Sequence, residues 1–280
     1  MASRILTATL FVLLFSCKKD VEPTPRDNSE RIETDVAYGS DLKQKLDLYL
    51  PAGRSADTTR VIVLIHGGGW VDGDKADFTP AVTVLRQQFP SYAIFNINYR
   101  LASAGNNLFP AQENDVQSAI SYIYTRREEL QVSGNFVYIG ASAGAHLALL
   151  QGYKHREMVS PTAIVDLFGP TDFKSLYDSG PLAAVLISQL LGATPAANPG
   201  VYEQSSPLFF ATAGVAPTLI LQGGKDDVVP PAQSEMLKAR LDNAGIPNQY
   251  VLYPDEGHGW DGAELVDTFA KIGAFLRLHR

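Results

Sequence analysis

The chain has 280 residues, 45% of them hydrophobic and 19% charged, with a formal net charge of −7. That size suits one large globular domain or two small ones, able to bury a core without staples. No basic cluster points to nucleic acid, and the acidic balance speaks only for solubility. A single cysteine, Cys17, excludes an intrachain disulfide, and no Cys/His set has zinc spacing, so neither a catalytic metal nor a cofactor is expected.

Residues 1–16 read as a targeting segment. Arg4 supplies a positive start, and Ile5 to Phe15 is an apolar run too short to span a bilayer as a mature helix. Leu14-Phe15-Ser16-Cys17 resembles a bacterial lipobox, in which a small residue precedes a cysteine that is lipidated and becomes the mature N-terminus. That resemblance implies a lipid anchor on Cys17, membrane contact through this lipid only, and a place in the bacterial cell envelope, periplasmic or surface-exposed. The alternative is an ordinary signal peptide, an incidental Cys17 and secretion. Residues 17–31, with two prolines, many charges and few apolar residues, read as a tether.

A folded domain is expected over 32–280. Lys45 to Leu50 alternates apolar and polar residues and ends at Pro51-Ala52-Gly53, which predicts a half-exposed strand and a turn. Val61 to Ile65 is a continuous apolar run rich in β-branched residues, the pattern of a strand buried on both faces, and it leads into His66-Gly67-Gly68-Gly69-Trp70. Pro80 to Phe89 has helical spacing, Tyr92 to Asn98 reads as a buried strand, and Gln112 to Leu130 places Val116, Ile120 and Ile123 on one helix face. Phe136 to Ile139 and Ala163 to Phe168 are further strands. About 170–213 the rhythm breaks, with Gly and Pro punctuation, a helical piece near Leu182 to Leu191 and no strand; a cap insertion over the sheet edge is expected there. A strand at 218–221, a helix at 232–244, a strand at 249–253 and a closing helix through Leu265, Phe269, Ile272 and Leu276 complete the chain. Apolar strands alternating with amphipathic helices predict an α/β architecture with a mostly parallel central sheet covered on both faces.

Gly140-Ala141-Ser142-Ala143-Gly144 stands between a strand and a helix. A G-x-S-x-G in that setting is a nucleophile elbow, a turn sharp enough to lift Ser142 clear of the sheet. A serine hydroxyl needs a base in reach, and the base needs an orienting acid. His258, flanked by Gly257 and Gly259 after the last strand, is the expected base. The acid is expected in the loop after 218–221, where Asp226 and Asp227 are adjacent; Asp255 and Glu256 lie nearer His258 in sequence. The amides of Ala143, Gly68 and Gly69 are the expected oxyanion donors. His146 reads as a packed structural residue, and His155 and His279 as surface residues.

Four stretches carry a family resemblance: His66 to Trp70; Asn98 to Ala102 with Phe109-Pro110-Ala111 and Asp115; Gly140 to His146; and Gly223 with Asp226, Val229 and Pro230. With them the region from about Ile32 to Arg280 resembles the α/β-hydrolase esterases and lipases, the group of hormone-sensitive-lipase-like and acetyl- or feruloyl-esterase-like enzymes. The resemblance implies the α/β-hydrolase fold and selects Asp226 as the acid, giving a triad of Ser142, Asp226 and His258. Where this sequence has Gln222, the family usually has histidine; where it has Ala145, usually glycine. Neither departure is expected to touch a catalytic group.

The expected activity is that of a serine carboxylic-ester hydrolase working through an acyl-enzyme on short-chain or carbohydrate-linked esters of acetyl or feruloyl type. An amidase, peptidase or arylformamidase-like hydrolase would use the same triad. A non-catalytic binding protein on this scaffold is the third reading. The sequence carries no signal for oligomeric state.

Overall fold

A computed structural model of the protein describes residues 28–279. The 1–16 segment, Cys17, most of the 17–31 stretch and Arg280 lie outside the described residues.

The first part of the domain supplies β1 (Arg31–Ala37), β2 (Lys45–Leu50), β3 (Val61–Ile65), α1 (Thr79–Gln88), β4 (Ala93–Ile97), α2 (Ala111–Thr125) and α3 (Arg127–Leu130). Next come β5 (Phe136–Ala141), α4 (Ala143–Lys154), β6 (Ala163–Leu167), α5 (Phe173–Asp178), α6 (Pro181–Leu191) and α7 (Pro199–Gln204). The chain closes with β7 (Thr218–Gly223), α8 (Ala232–Asn243), β8 (Asn248–Tyr253) and α9 (Gly262–Leu278). The eight strands form one sheet in the order β1-β2-β4-β3-β5-β6-β7-β8. β2 runs antiparallel to both β1 and β4, and the remaining pairs are parallel. This is the α/β-hydrolase architecture.

The sheet is central because its strands have two apolar faces. All five residues of β3 are buried. Val61, Val63 and Ile65 enter the core beneath α2, α4 and α8, while Ile62 and Leu64 enter the core beneath α1 and α9. With parallel strands running the same way, the loops that follow β3, β5, β6, β7 and β8 gather along one sheet edge, where ligands of open α/β sheets bind.

Three details depart from the sequence reading. β1 has an exposed-to-intermediate pattern typical of an edge strand, and it begins at Arg31. Ahead of it, Asn28 is already tied to the turn after β2: Gly53 N donates to Asn28 O at 2.8 Å and Asn28 Nδ2 to Arg54 O at 3.0 Å. β2 is not half-exposed, because β1 and β4 flank it; its polar member Asp47 is buried and accepts from Lys75 Nζ at 2.9 Å and Asp35 N at 2.8 Å. The helix expected over Gln112 to Leu130 breaks at Arg126 into α2 and α3.

Between β6 and β7, residues 170–213 fold into α5, α6, α7 and a short turn of tighter helix at Pro207–Phe210, with no strand. Among the described residues no helix is long and apolar enough to cross a membrane.

Candidate active site

Ser142 stands at the bend between β5 and α4 with φ 53° and ψ −120°. A side chain held in that region costs about 1–3 kcal/mol and persists only where the surroundings impose it. Here Ser142 N donates to Leu167 O at 2.8 Å, and His146 N donates to Ser142 O at 3.0 Å. Both motif glycines are steric necessities. A Cβ on Gly140 would lie 2.3 Å from the Gly144 carbonyl carbon, and one on Gly144 would lie 2.0 Å from Ile65 O. Only glycine lets α4 start this close to β5 and β3.

The loops after β7 and β8 bring the other two groups to the serine. His258 Nε2 lies 2.9 Å from Ser142 Oγ, and His258 Nδ1 lies 2.8 Å from Asp226 Oδ2. The tautomer that satisfies both carries its proton on Nδ1, leaving Nε2 to accept from the serine hydroxyl. Asp226 has a fully buried side chain, and His258 is one-fifth exposed. The amides of Val228 and Val229 donate to Asp226 Oδ1 at 2.9 and 2.8 Å, and Gln222 Nε2 donates to Oδ2 at 3.1 Å.

Gln222 is the residue the sequence reading missed. It was expected not to touch a catalytic group, yet it contacts the buried acid directly. Ser234 Oγ donates to its Oε1 at 2.8 Å, which fixes the amide with its nitrogen toward Asp226. The signal was its place at the end of β7, four residues before Asp226, where it stands in for the usual histidine. Of the two neighbouring acids, the structure brings Asp226 to His258. Asp227 is exposed and lines the cavity instead.

The glycine loop after β3 closes the other side. Gly68, Gly69 and Trp70 all have positive φ, at 105°, 58° and 63°, so the chain coils back over the serine. His66 braces the loop from below. Its ring stacks on Tyr99 at 4.3 Å, its Nδ1 lies 2.7 Å from Gly67 O, and Tyr99 Oη donates to His66 O at 2.9 Å. Burial pushes the His66 imidazole below its ordinary range, keeping it neutral. Gly68 and Gly69 line the cavity at Ser142. Ala143 is the first residue of α4, and a first-turn amide has no partner within its own helix. Amides so placed can receive negative charge developing at a carbonyl oxygen next to Ser142.

His146, expected to be structural, ties this frame to the 170–213 segment. It is fully buried, accepts from Trp70 Nε1 through Nδ1 at 3.2 Å and reaches Ser205 O through Nε2 at 2.7 Å. Its ring stacks on Phe173 of α5 at 4.5 Å. Burial lowers its pKa to about 4. His155 is not a free surface residue: its Nε2 lies 2.7 Å from the buried Glu113.

The cavity at Ser142 holds about 620 Å³. One wall is the sheet edge, with Gly68, Ser142, Phe168 and His258; the other is the 170–213 segment, with Leu176, Leu182 and Leu186. Among the described residues no group of three His, Cys, Asp or Glu side chains could hold a metal ion.

Comparison with known proteins places this geometry in context. The BD-FAE family model matches residues 46–241. Esterase LipC of Mycobacterium tuberculosis is 28% identical over 265 residues, spanning 88% of this chain and 65% of LipC. Dipeptidyl peptidase family member 6 of Caenorhabditis elegans is 29% identical over 220 residues, spanning 71% of this chain and 28% of that protein. The chain thus spans less than two thirds of the length of these curated relatives. Among solved structures, a truncated carbohydrate esterase from gut microbiota superposes with a TM-score of 0.72 at 25% identity, covering 89% of this chain and 98% of that one.

Proposed function

This chain belongs to the BD-FAE family, and we propose that it is a serine carboxylic-ester hydrolase. What carries the reading is His258, bonded to Ser142 Oγ at 2.9 Å and to the buried Asp226 at 2.8 Å. In this account Ser142 Oγ attacks the ester carbonyl carbon while His258 Nε2 takes its proton. Asp226 holds the imidazolium that forms, and the amides of Gly68, Gly69 and Ala143 receive the oxyanion. The protonated His258 then gives its proton to the leaving alcohol as the carbon–oxygen bond breaks. Water repeats the sequence on the acyl-enzyme and frees the acid.

The substrate class we propose is a short acyl ester, of acetyl or feruloyl type, on a small alcohol or a carbohydrate. The likeness to LipC and to the gut carbohydrate esterase supports it. The test is turnover of p-nitrophenyl acetate, butyrate and a long-chain ester beside methyl ferulate and acetylated xylan. Preference for the short or feruloyl esters is the expected result, and preference for the long chain would contradict it. A second reading, cleavage of an amide by the same groups, draws on the likeness to the dipeptidyl peptidase. Matched p-nitrophenyl ester and p-nitroanilide substrates separate the two.

We place the enzyme in the bacterial cell envelope, held by a lipid on Cys17. Labelling with a palmitate analogue in cells should mark the parent and not a Cys17→Ala variant; equal labelling, or none, contradicts the anchor.

A further inference from the structure

A second cavity, of about 370 Å³, lies on the α1 and α9 side of Phe168. Phe78, Val84, Leu85, Trp260, Phe269 and Ile272 are among the residues that line it. Its polar groups are already partnered. Thr268 Oγ1 accepts from Trp260 Nε1 at 2.8 Å and donates to Tyr253 Oη at 3.0 Å, and Asp77 at its rim accepts from Asp74 N at 3.1 Å. The space therefore suits an apolar guest.

This cavity adjoins the site. Asp77, Ala141 and Phe168 line both cavities, and Ala141 is the residue before Ser142. Phe168 is the partition. It stands at φ 47°, an unusual conformation for a bulky side chain. The backbone is pinned on each side: Phe168 N donates to Leu221 O at 2.8 Å, and Gly169 N donates to the buried carboxyl of Asp166 at 2.8 Å. So held, the Phe168 ring meets His258 edge-on at 4.8 Å and Trp260 at 5.3 Å. Strain kept in place by several hydrogen bonds beside reacting groups points to a use for the side chain it aims.

We propose that this second cavity is the leaving-group compartment of the site: it takes the apolar part of the alcohol, and Phe168 sets how large that part can be. The proposal rests on the ester-hydrolase reading above. On that reading the ester oxygen must come to His258 Nε2 to collect its proton, so the alcohol begins at His258. His258 lines the first cavity, and Phe168, edge-on to its ring, stands between it and the second cavity, which Gly259 and Trp260 line. The acyl group, on the far side of the carbonyl carbon, is left to the first cavity and its leucines.

Two substrate series test this on the parent, Phe168→Ala, Phe168→Leu and Ala81→Trp, since Ala81 also lines the second cavity. In the alcohol series the acyl group stays acetyl, and kcat/KM is compared for 2-naphthyl and ethyl acetate. In the acyl series the alcohol stays p-nitrophenol, and butyrate is compared with acetate. Phe168→Ala should raise the naphthyl-to-ethyl ratio about tenfold and Ala81→Trp should lower it about tenfold, with the acyl ratio within about twofold. Phe168→Leu should fall between parent and alanine, and it keeps the test decisive if Phe168→Ala does not fold. Movement of the acyl ratio instead, or of neither ratio in folded variants, would overturn the assignment while the parent's esterase activity stood. A parent that hydrolyses none of these esters would remove the reading beneath the proposal, and the proposal with it.

Discussion

The two walls of the first cavity are held by different means. On the sheet-edge wall, backbone at positive φ sets the geometry, at Gly68, Gly69, Trp70, Ser142 and Phe168, and hydrogen bonds from buried groups keep it there. On the opposite wall, α6 contributes Leu182 and Leu186, apolar side chains with no polar partner to make, and Leu182 is 80% exposed. The first wall can place atoms to within a few tenths of an ångström, as bond making requires. The second offers shape and apolar surface. On the proposed function the first wall carries the chemistry and the second the selection, and the substitutions below should affect the two differently.

The largest effects belong to the first wall. Asp226→Asn should lower kcat by about 10³–10⁴-fold with KM little changed, because an amide there favours the wrong tautomer of His258. Asp227→Asn should cost about threefold or less, its side chain being exposed on the rim. Equal losses from the two would erase the distinction between a buried orienting acid and its neighbour. Gln222→Leu comes next. Losing one hydrogen bond to a buried carboxyl should lower kcat about tenfold, with Gln222→His restoring most of it. A change confined to KM would contradict a role through Asp226.

His146 joins the walls, so its loss should register as stability. His146→Leu leaves the Trp70 indole N–H and Ser205 O without their partner, a cost of about 1–3 kcal/mol by denaturant unfolding. The pH dependence has a definite sign. The folded imidazole titrates at about 4 against an ordinary 6.5, so the unfolded chain binds the proton more readily in between. The parent should lose stability from this group as pH falls from 6.5 to 4, and His146→Leu should not. Asp166 acts oppositely. Burial raises its carboxyl to about 7 from an ordinary 3.8, so its contribution is complete below 3.8 and is lost as pH rises through 7. Asp166→Asn should flatten that loss in thermal melts across the range. The smallest effect is on the second wall. Leu182→Ser should change stability by no more than about 0.5 kcal/mol while altering KM between acyl groups.

The same division governs what could be read from the sequence. Ser142 and His258 were legible because the elbow and the glycine-flanked loop are local, each written within a few residues and placed after an apolar strand. Asp226 and Asp227 could not be separated by their own surroundings in sequence. What separates them is the pair of amides at Val228 and Val229 and the side chain of Gln222 from the preceding strand. β1 escaped notice because an edge strand with Glu33 and Asp35 lacks apolar alternation. Asp47 made β2 look half-solvated, since its partner Lys75 lies far along the chain. The 170–213 segment was recognised by its broken rhythm, but α5 and α7, six residues each, are too short to show a period. Nothing local in the sequence announced the second cavity, whose lining comes from α1, α9 and the loops after β6 and β8 among other segments.

The central claim is that Ser142 is a nucleophile made reactive by His258. The most direct measurement is reaction of the folded protein with a fluorophosphonate, followed by mass spectrometry of its peptides. The account predicts a single phosphonyl adduct on the peptide containing Ser142, formed in the parent and slowed by several orders of magnitude in His258→Ala. No adduct on folded parent protein, or labelling at Ser142 that is indifferent to His258, would contradict it.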